Sequence, residues 1–261
     1  GAALGLSGSI TQAVSRNPLA EPGLLGITGG AGLGAVLVVT SATASNVGML
    51  MAAVTGGLLV FALVYALAWR GGLSADRFIL IGIGVSYGAV ALTTFVLLRA
   101  NPWDTPRIYT WLSGTTYGRI WEHVIPLAIV LAIALPFAFV RRRDLDILAM
   151  DEDTPKLVGI RLERTRLALL VTAAVLAALG VVAVGVIGFV GLVAPHAARA
   201  LVGAKHGRSI PVAVLLGAVL VGVADTLGRT IIAPAQLPAG LVVALIGAPY
   251  FVWLLWRSRD A

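Results

Sequence analysis

Few side chains in this sequence could do chemistry, and those few stand apart from one another. His196, directly after Pro195, could serve as a ligand or proton carrier, but no second His, Cys or carboxylate lies at ligand spacing, which favours a packed helix-end histidine. Asp225 and Arg229 are four apart, so they can pair along one helix face or meet a partner. Gly30-Ala31-Gly32-Leu33-Gly34-Ala35 fits a loose dinucleotide fingerprint, yet no soluble strand precedes it and no βαβ unit surrounds it. Cysteine is absent, which removes disulfides, thiolate metal sites and iron–sulfur clusters together. There is no metal-ligand set, no catalytic constellation and no G-x-x-x-x-G-K-[ST] phosphate loop. Covalent chemistry is therefore not expected of this chain.

Charge is concentrated instead. Residues 141–166 hold 13 of the 31 formal charges, with long apolar runs on both sides. Asp144 or Asp146 can cap a short helix carrying Leu145, Leu148 and Ala149, and Thr154-Pro155 can open a second that Gly159 ends. Asp151-Glu152-Asp153 joins the two. A disordered tether would need neither alternating apolar residues nor two sets of caps. The segment reads as a folded platform gripped by another protein through Leu145, Asp146, Leu148, Asp151, Glu152, Asp153, Lys156 and Gly159. The alternative is a solvated loop that obeys the charge rule for orientation.

The elements that must hold these residues are membrane spans. With 59% hydrophobic and 12% charged residues, 261 residues do not make an ordinary soluble domain. An all-α, polytopic membrane protein is expected, and a span needs roughly 20 apolar residues, so about eight or nine helices fit. The apolar runs are the stretch from Gly1, then about 24–40, 47–69, 78–98, 123–140, 167–186, 187–202, 210–227 and 237–256. Gly26, Gly30 and Gly34, four apart, make a smooth ridge for close helix approach. Pro195 frees a backbone carbonyl, tolerated where a helix faces protein or a water-filled cavity. The loop 99–122 carries Trp103, Tyr109, Trp111, Tyr117 and Trp121, which favours a short helix in the headgroup layer over a base-stacking site.

The net charge of +7 comes with no aromatic–basic stripe, so nucleic acid is not the expected partner. Counting Lys and Arg on alternate loops puts 15 on the side of segment 141–166 and only Arg99, Arg107, Arg119 and Arg229 opposite. That split places the platform and the C-terminus in the cytoplasm. A weak glycine echo also pairs Gly5 and Gly8 with Gly185 and Gly188 at an offset of 180.

Four stretches together resemble the FecCD family of ABC importer permeases. They are Ser7-Gly8 with Gln12 and residues 16–26 (RNPLAEPGLLG); the segment 141–166; Gly188-Phe189-Val190-Gly191-Leu192-Val193-Ala194-Pro195-His196; and Leu237-Pro238-Ala239-Gly240 with Gly247-Ala248-Pro249-Tyr250-Phe251. The resemblance implies one permease domain over 1–261, with ten spans in two inverted halves, of which this sequence would lack the first and the start of the second. It implies a second permease subunit, identical or homologous, two cytoplasmic ATPase subunits that carry ATP and magnesium, and an external or periplasmic binding protein, all at a bacterial inner membrane. The segment 141–166 would be the coupling-helix pair that enters the ATPase. Asp151 and Pro155 depart from the small residues usual there. Arg229 would meet the binding protein. Gly26, Gly30, Gly34, Pro195, Gly247 and Pro249 would help form a broad, weakly polar pathway. The cargo implied is an iron–siderophore chelate, with vitamin B12 or haem as the alternative; bare iron would find no ligands here. An ion-coupled secondary transporter is the rival class, and it would bury an ionisable group at mid-membrane, which these spans do not offer.

Overall fold

The computed structural model describes residues 1–41, 46–69, 74–103, 105–150 and 162–257. Among them the regular elements are helices: α1 (Ala2–Ser15), α2 (Ile27–Val39), α3 (Asn46–Ala68), α4 (Ala75–Leu97), α5 (Thr105–Leu112), α6 (Trp121–Val140), α7 (Arg142–Leu148), α8 (Leu162–Val184), α9 (Val190–Val202), α10 (His206–Thr230) and α11 (Ala239–Arg257), with a 3-10 turn, Pro22–Leu25, ahead of α2. Helices α3, α4, α6, α8 and α10 are long and apolar enough to cross a membrane, and α2, α9 and α11 are shorter apolar helices. With α1 they match the nine apolar runs one for one.

Helix ends differ from the apolar runs in an instructive way. α8 begins at Leu162 rather than 167, and α10 spans His206 to Thr230 rather than 210–227. Hydropathy marks where hydrocarbon ends, whereas backbone hydrogen bonding continues into polar residues. α2 and α9 start later than the runs that contain them, because Gly26 (φ 84°) and Phe189 (φ 66°) take the left-handed conformation and break the chain.

α1 and α8 form the centre. α1 is buried along almost its whole length, and Leu169, Leu170, Ala173, Ala174, Leu176, Ala177 and Ala178 of α8 are shut off from solvent. Ser7 Oγ donates to the Ala173 carbonyl at 2.7 Å, joining the two helices. α1 packs on α9 and α10, while α8 packs on α2 and α3. α2 and α9 are both 13 residues long and start 163 residues apart, and the order α1, α2, α3, α4 recurs as α8, α9, α10, α11.

The repeat is inverted. Gly1 abuts Gly217 and Gly5 abuts Ala213, so α1 runs antiparallel to α10. α8 runs parallel to α10, since the Thr115–Thr116 segment bonds to Val184 at one C-terminal end and to Asp225 near the other. The 180-residue glycine echo does not describe this repeat: Gly5 and Gly8 lie inside α1, whereas Gly185 and Gly188 lie in the connection after α8.

Close approach explains the glycine ridge. A Cβ on Gly30 would collide with the Gly56 carbonyl, and one on Gly34 with that of Ala52, so α2 and α3 touch backbone to backbone. Lipid is as apolar as leucine, so van der Waals fit of this kind replaces the hydrophobic drive as the force between helices.

Candidate functional site

The platform end is built on α7. Leu145 and Leu148 are fully buried, holding α7 against α1 and α10. Neither aspartate caps α7, whose N-cap is Arg141 without a side-chain bond; Asp144 pairs with Arg141 at 2.9 Å. Asp146 turns instead to the start of α10, where its Oδ1 accepts the His206 backbone N–H at 2.8 Å and contacts His206 Nδ1 at 2.7 Å. One carboxylate thus caps α10 and ties α7 to it, 60 residues along the chain. Asp151, Glu152, Asp153, Lys156 and Gly159, with the whole second helix of the expected pair, lie outside the described residues.

In the interior, Pro195 sits within α9 and is buried. Lacking an N–H, it leaves the carbonyl of Gly191 without its helical donor. Gln12 of α1 supplies one: its Nε2 donates to Gly191 O at 3.2 Å and to Leu192 O at 3.4 Å. His196 stands inside α9 rather than at a helix end, edge-on to the Tyr250 ring at 6.0 Å. Phe189 holds a left-handed backbone that is rare for a bulky residue, and Glu21 Oε1 secures it by accepting its N–H at 2.6 Å. Gly247 makes room for it, since a Cβ there would come within 2.6 Å of the Phe189 Cβ. Gly26, Gly30 and Gly34 are engaged in the α2–α3 contact, whereas Pro249 of α11 is exposed.

At the opposite end, Arg229 Nε donates to Asp225 Oδ2 at 2.9 Å. Thr116 donates to Asp225 Oδ1 and lies 3.3 Å from Arg229 Nη2. The arginine remains 42% exposed, so the pair leaves it open to a partner. Thr115 N donates to Val184 O at 2.7 Å, and Gly240 N to Gly114 O at 2.9 Å, pinning this segment to α8 and α11. α5 lies beside it with Ile108 and Trp111 buried and Tyr109 exposed, the amphipathic helix expected from the aromatic loop. Arg119 is half-buried, and burial draws its pKa below the ordinary arginine value.

Four features escaped the sequence: Asp146 with His206, Gln12 with Gly191, Glu21 with Phe189, and Thr116 with Asp225. Only the second left a local sign, a proline inside an apolar run, which predicts a freed carbonyl but does not name its donor. Among the described residues, no cluster of three or more His, Cys, Asp or Glu could hold a metal ion.

Comparison with known proteins adds family context. Residues 1–257 match the model of the FecCD transport family. The chain is 39% identical to the iron(3+)-hydroxamate import system permease protein FhuG of Bacillus subtilis, over 99% of this chain and 80% of that one. It is 35% identical to the cobalamin import system permease protein BtuC of Halobacterium salinarum, over 100% of this chain and 70% of the relative. Its fold superposes with a TM-score of 0.90 on an inward-facing candidate metal-chelate type ABC transporter, at 30% identity, covering 98% of this chain and 83% of that one.

Proposed function

Since the chain belongs to the FecCD transport family and is a permease subunit of an ABC importer, we propose that it forms half of the pathway for an iron–siderophore chelate in a bacterial inner membrane. The observation that carries this reading is the family match along 1–257, together with relatives whose cargo is iron in chelated form. A corrinoid is the second reading, favoured by the cobalamin relative. A second permease subunit completes the pathway, two ATPase subunits bind ATP and magnesium, and an external binding protein delivers cargo.

The segment 141–166 is the coupling part of this single permease domain. α7 meets the ATPase, with Asp151, Glu152, Asp153, Lys156 and Gly159 completing the contact. Buried Leu145 and Leu148 make α7 move as one body with the bundle, and Asp146 passes its displacement to α10 through His206. α10 then carries that displacement to Asp225 and Arg229 at its other end. Gly26, Gly30, Gly34, Pro195 and Gly247 set the spacing of the pathway helices, and Pro249 stands on an exposed face.

Arg229 is the docking residue in this reading, and its loss separates docking from a bare ion pair. A surface pair contributes about 0–1 kcal/mol. Arg229→Glu should raise the binding-protein concentration needed for half-maximal chelate uptake, with strong salt dependence. Superimposable uptake curves for wild type and variant at low salt would leave only the ion pair with Asp225.

A further inference from the structure

α9 is an apolar helix that carries one formal charge, Arg199, one turn before its end. The Arg199 carbonyl accepts the Gly203 N–H at 2.9 Å, and α10 begins at His206, so the charge lies beside the hairpin that Asp146 ties to α7. α11 starts at the opposite end of the molecule, where Gly240 N bonds Gly114 O, and its last turns bring Tyr250, Trp253 and Trp256 toward the level of that hairpin. The His196 and Tyr250 rings stand 6.0 Å apart, and those of Tyr250 and Trp253 5.9 Å apart. The charge of Arg199 acts on His196, Tyr250 and His206, which places the guanidinium in the corner between α9, α10 and α11.

Among the described residues that guanidinium has no acceptor: its Nη2 is buried without a hydrogen bond, and so is Nδ1 of the neighbouring His196. A charge at the edge of hydrocarbon is costly unless it is paired, and a long side chain near a helix end turns toward the headgroup layer. The flanks of the corner are apolar, with Leu201, Val252 and Trp256 exposed. Exposed aliphatic groups on such a helix face acyl chains, and Tyr and Trp gather where chains meet headgroups. Lys205, exposed in the hairpin, adds a second positive charge. A basic and aromatic centre between apolar flanks suits an amphipathic occupant, whereas the rim of a contact with a soluble protein is polar.

We propose that this corner binds the phosphate of an anionic phospholipid in the inner leaflet, with Arg199 as the cation and the Tyr250 hydroxyl as a second donor. The proposal rests on the membrane orientation given above and not on the cargo. An arginine fork offers a phosphate two parallel donors, which lysine cannot reproduce. The acyl chains lie along Leu201 and Val252, while Trp253 and Trp256 keep the headgroup level. Occupied, the site ties α9 to α11 at one end, as the contact of Phe189 with Gly247 does at the other.

The test uses the permease assembled with its ATPase, delipidated in neutral detergent and titrated with phosphatidylglycerol, the retained lipids being counted by native mass spectrometry. Wild type should bind one phosphatidylglycerol well ahead of the rest, and phosphatidylcholine should not replace it. Arg199→Gln should weaken that first binding about tenfold or more. Lys205→Gln removes one diffuse surface charge and should weaken it at most about fivefold. Arg199→Lys and Tyr250→Phe should each fall between wild type and Arg199→Gln, and they keep the test valid if Arg199→Gln disturbs folding. If neither of these two shifts the first binding, the proposal is wrong. Equal small shifts for Arg199→Gln and Lys205→Gln would leave only diffuse attraction, and the proposal fails. It fails if millimolar inorganic phosphate displaces the lipid, since the site then takes the free anion. It fails equally if Arg199→Gln spares lipid binding and instead releases the ATPase or raises the chelate concentration needed for uptake. Lipid counting needs no cargo, so an error in the chelate reading leaves every one of these outcomes readable.

Discussion

Gln12 offers a quantitative test of how the two halves hold together. It is 4% exposed, and its amide donates to two carbonyls of α9, one of them left open by Pro195. Gln12→Leu keeps the volume and removes both bonds. Hydrogen bonds between membrane helices average about 0.6 kcal/mol and reach ~1.7, while a buried unsatisfied carbonyl costs about 1–3 kcal/mol. The bonds here are long, so the expected loss is about 1–2 kcal/mol, a factor of roughly 5–30 in the unfolding equilibrium. Pro195→Ala restores a backbone N–H at position 195 that can bond Gly191 within α9. In that background Gln12→Leu should cost under about 0.5 kcal/mol, since the carbonyl no longer depends on α1. Reversible unfolding of the four proteins in mixed detergent micelles gives the coupling energy. Equal losses in both backgrounds would show that Gln12 does not act through the carbonyl freed by proline.

Two further outcomes follow from the packing. Gly34→Ala should lower the thermal midpoint in detergent, because overpacking against the Ala52 backbone costs about 1–3 kcal/mol; Gly222→Ala, with nothing within 4 Å, should leave it unchanged or slightly raised, and equal midpoints would refute the close α2–α3 contact. Asp146→Ala should remove the cap of α10, worth about 0.5–2 kcal/mol, and lower the cargo moved per ATP hydrolysed in the assembled transporter; an unchanged ratio would exclude Asp146 from coupling.

Lipid made the helices legible. A bilayer demands long apolar runs, so each span announced itself by composition. The breaks at Gly26 and Phe189 were not legible, because a left-handed residue within an apolar run changes no hydropathy. Nor were the polar contacts. Asp146 is a reasonable cap for its own helix by local rules, and only the fold brings the start of α10 within 2.8 Å of it. Glu21 sits between two loop residues that suggest nothing more than a turn, Ala20 and Pro22, while its partner is 168 residues away. The offset of the repeat was missed for a related reason: two glycine matches carry less information than the lengths and order of four helices.

The interleaving of the two halves also has a consequence in time. Ser7 finds Ala173 and Gln12 finds Gly191, partners 166 and 179 residues further along the chain. At roughly 5–20 residues per second, synthesis reaches them on the order of 10–35 s after α1 is made. A serine can wait by bonding its own helix, as Ser9 does to Gly5 and Ser15 to Thr11. A glutamine amide has no such retreat in its final rotamer, and in the bilayer it must be sheltered by something other than its eventual partner. Made well before its partners, α1 is completed only when they arrive.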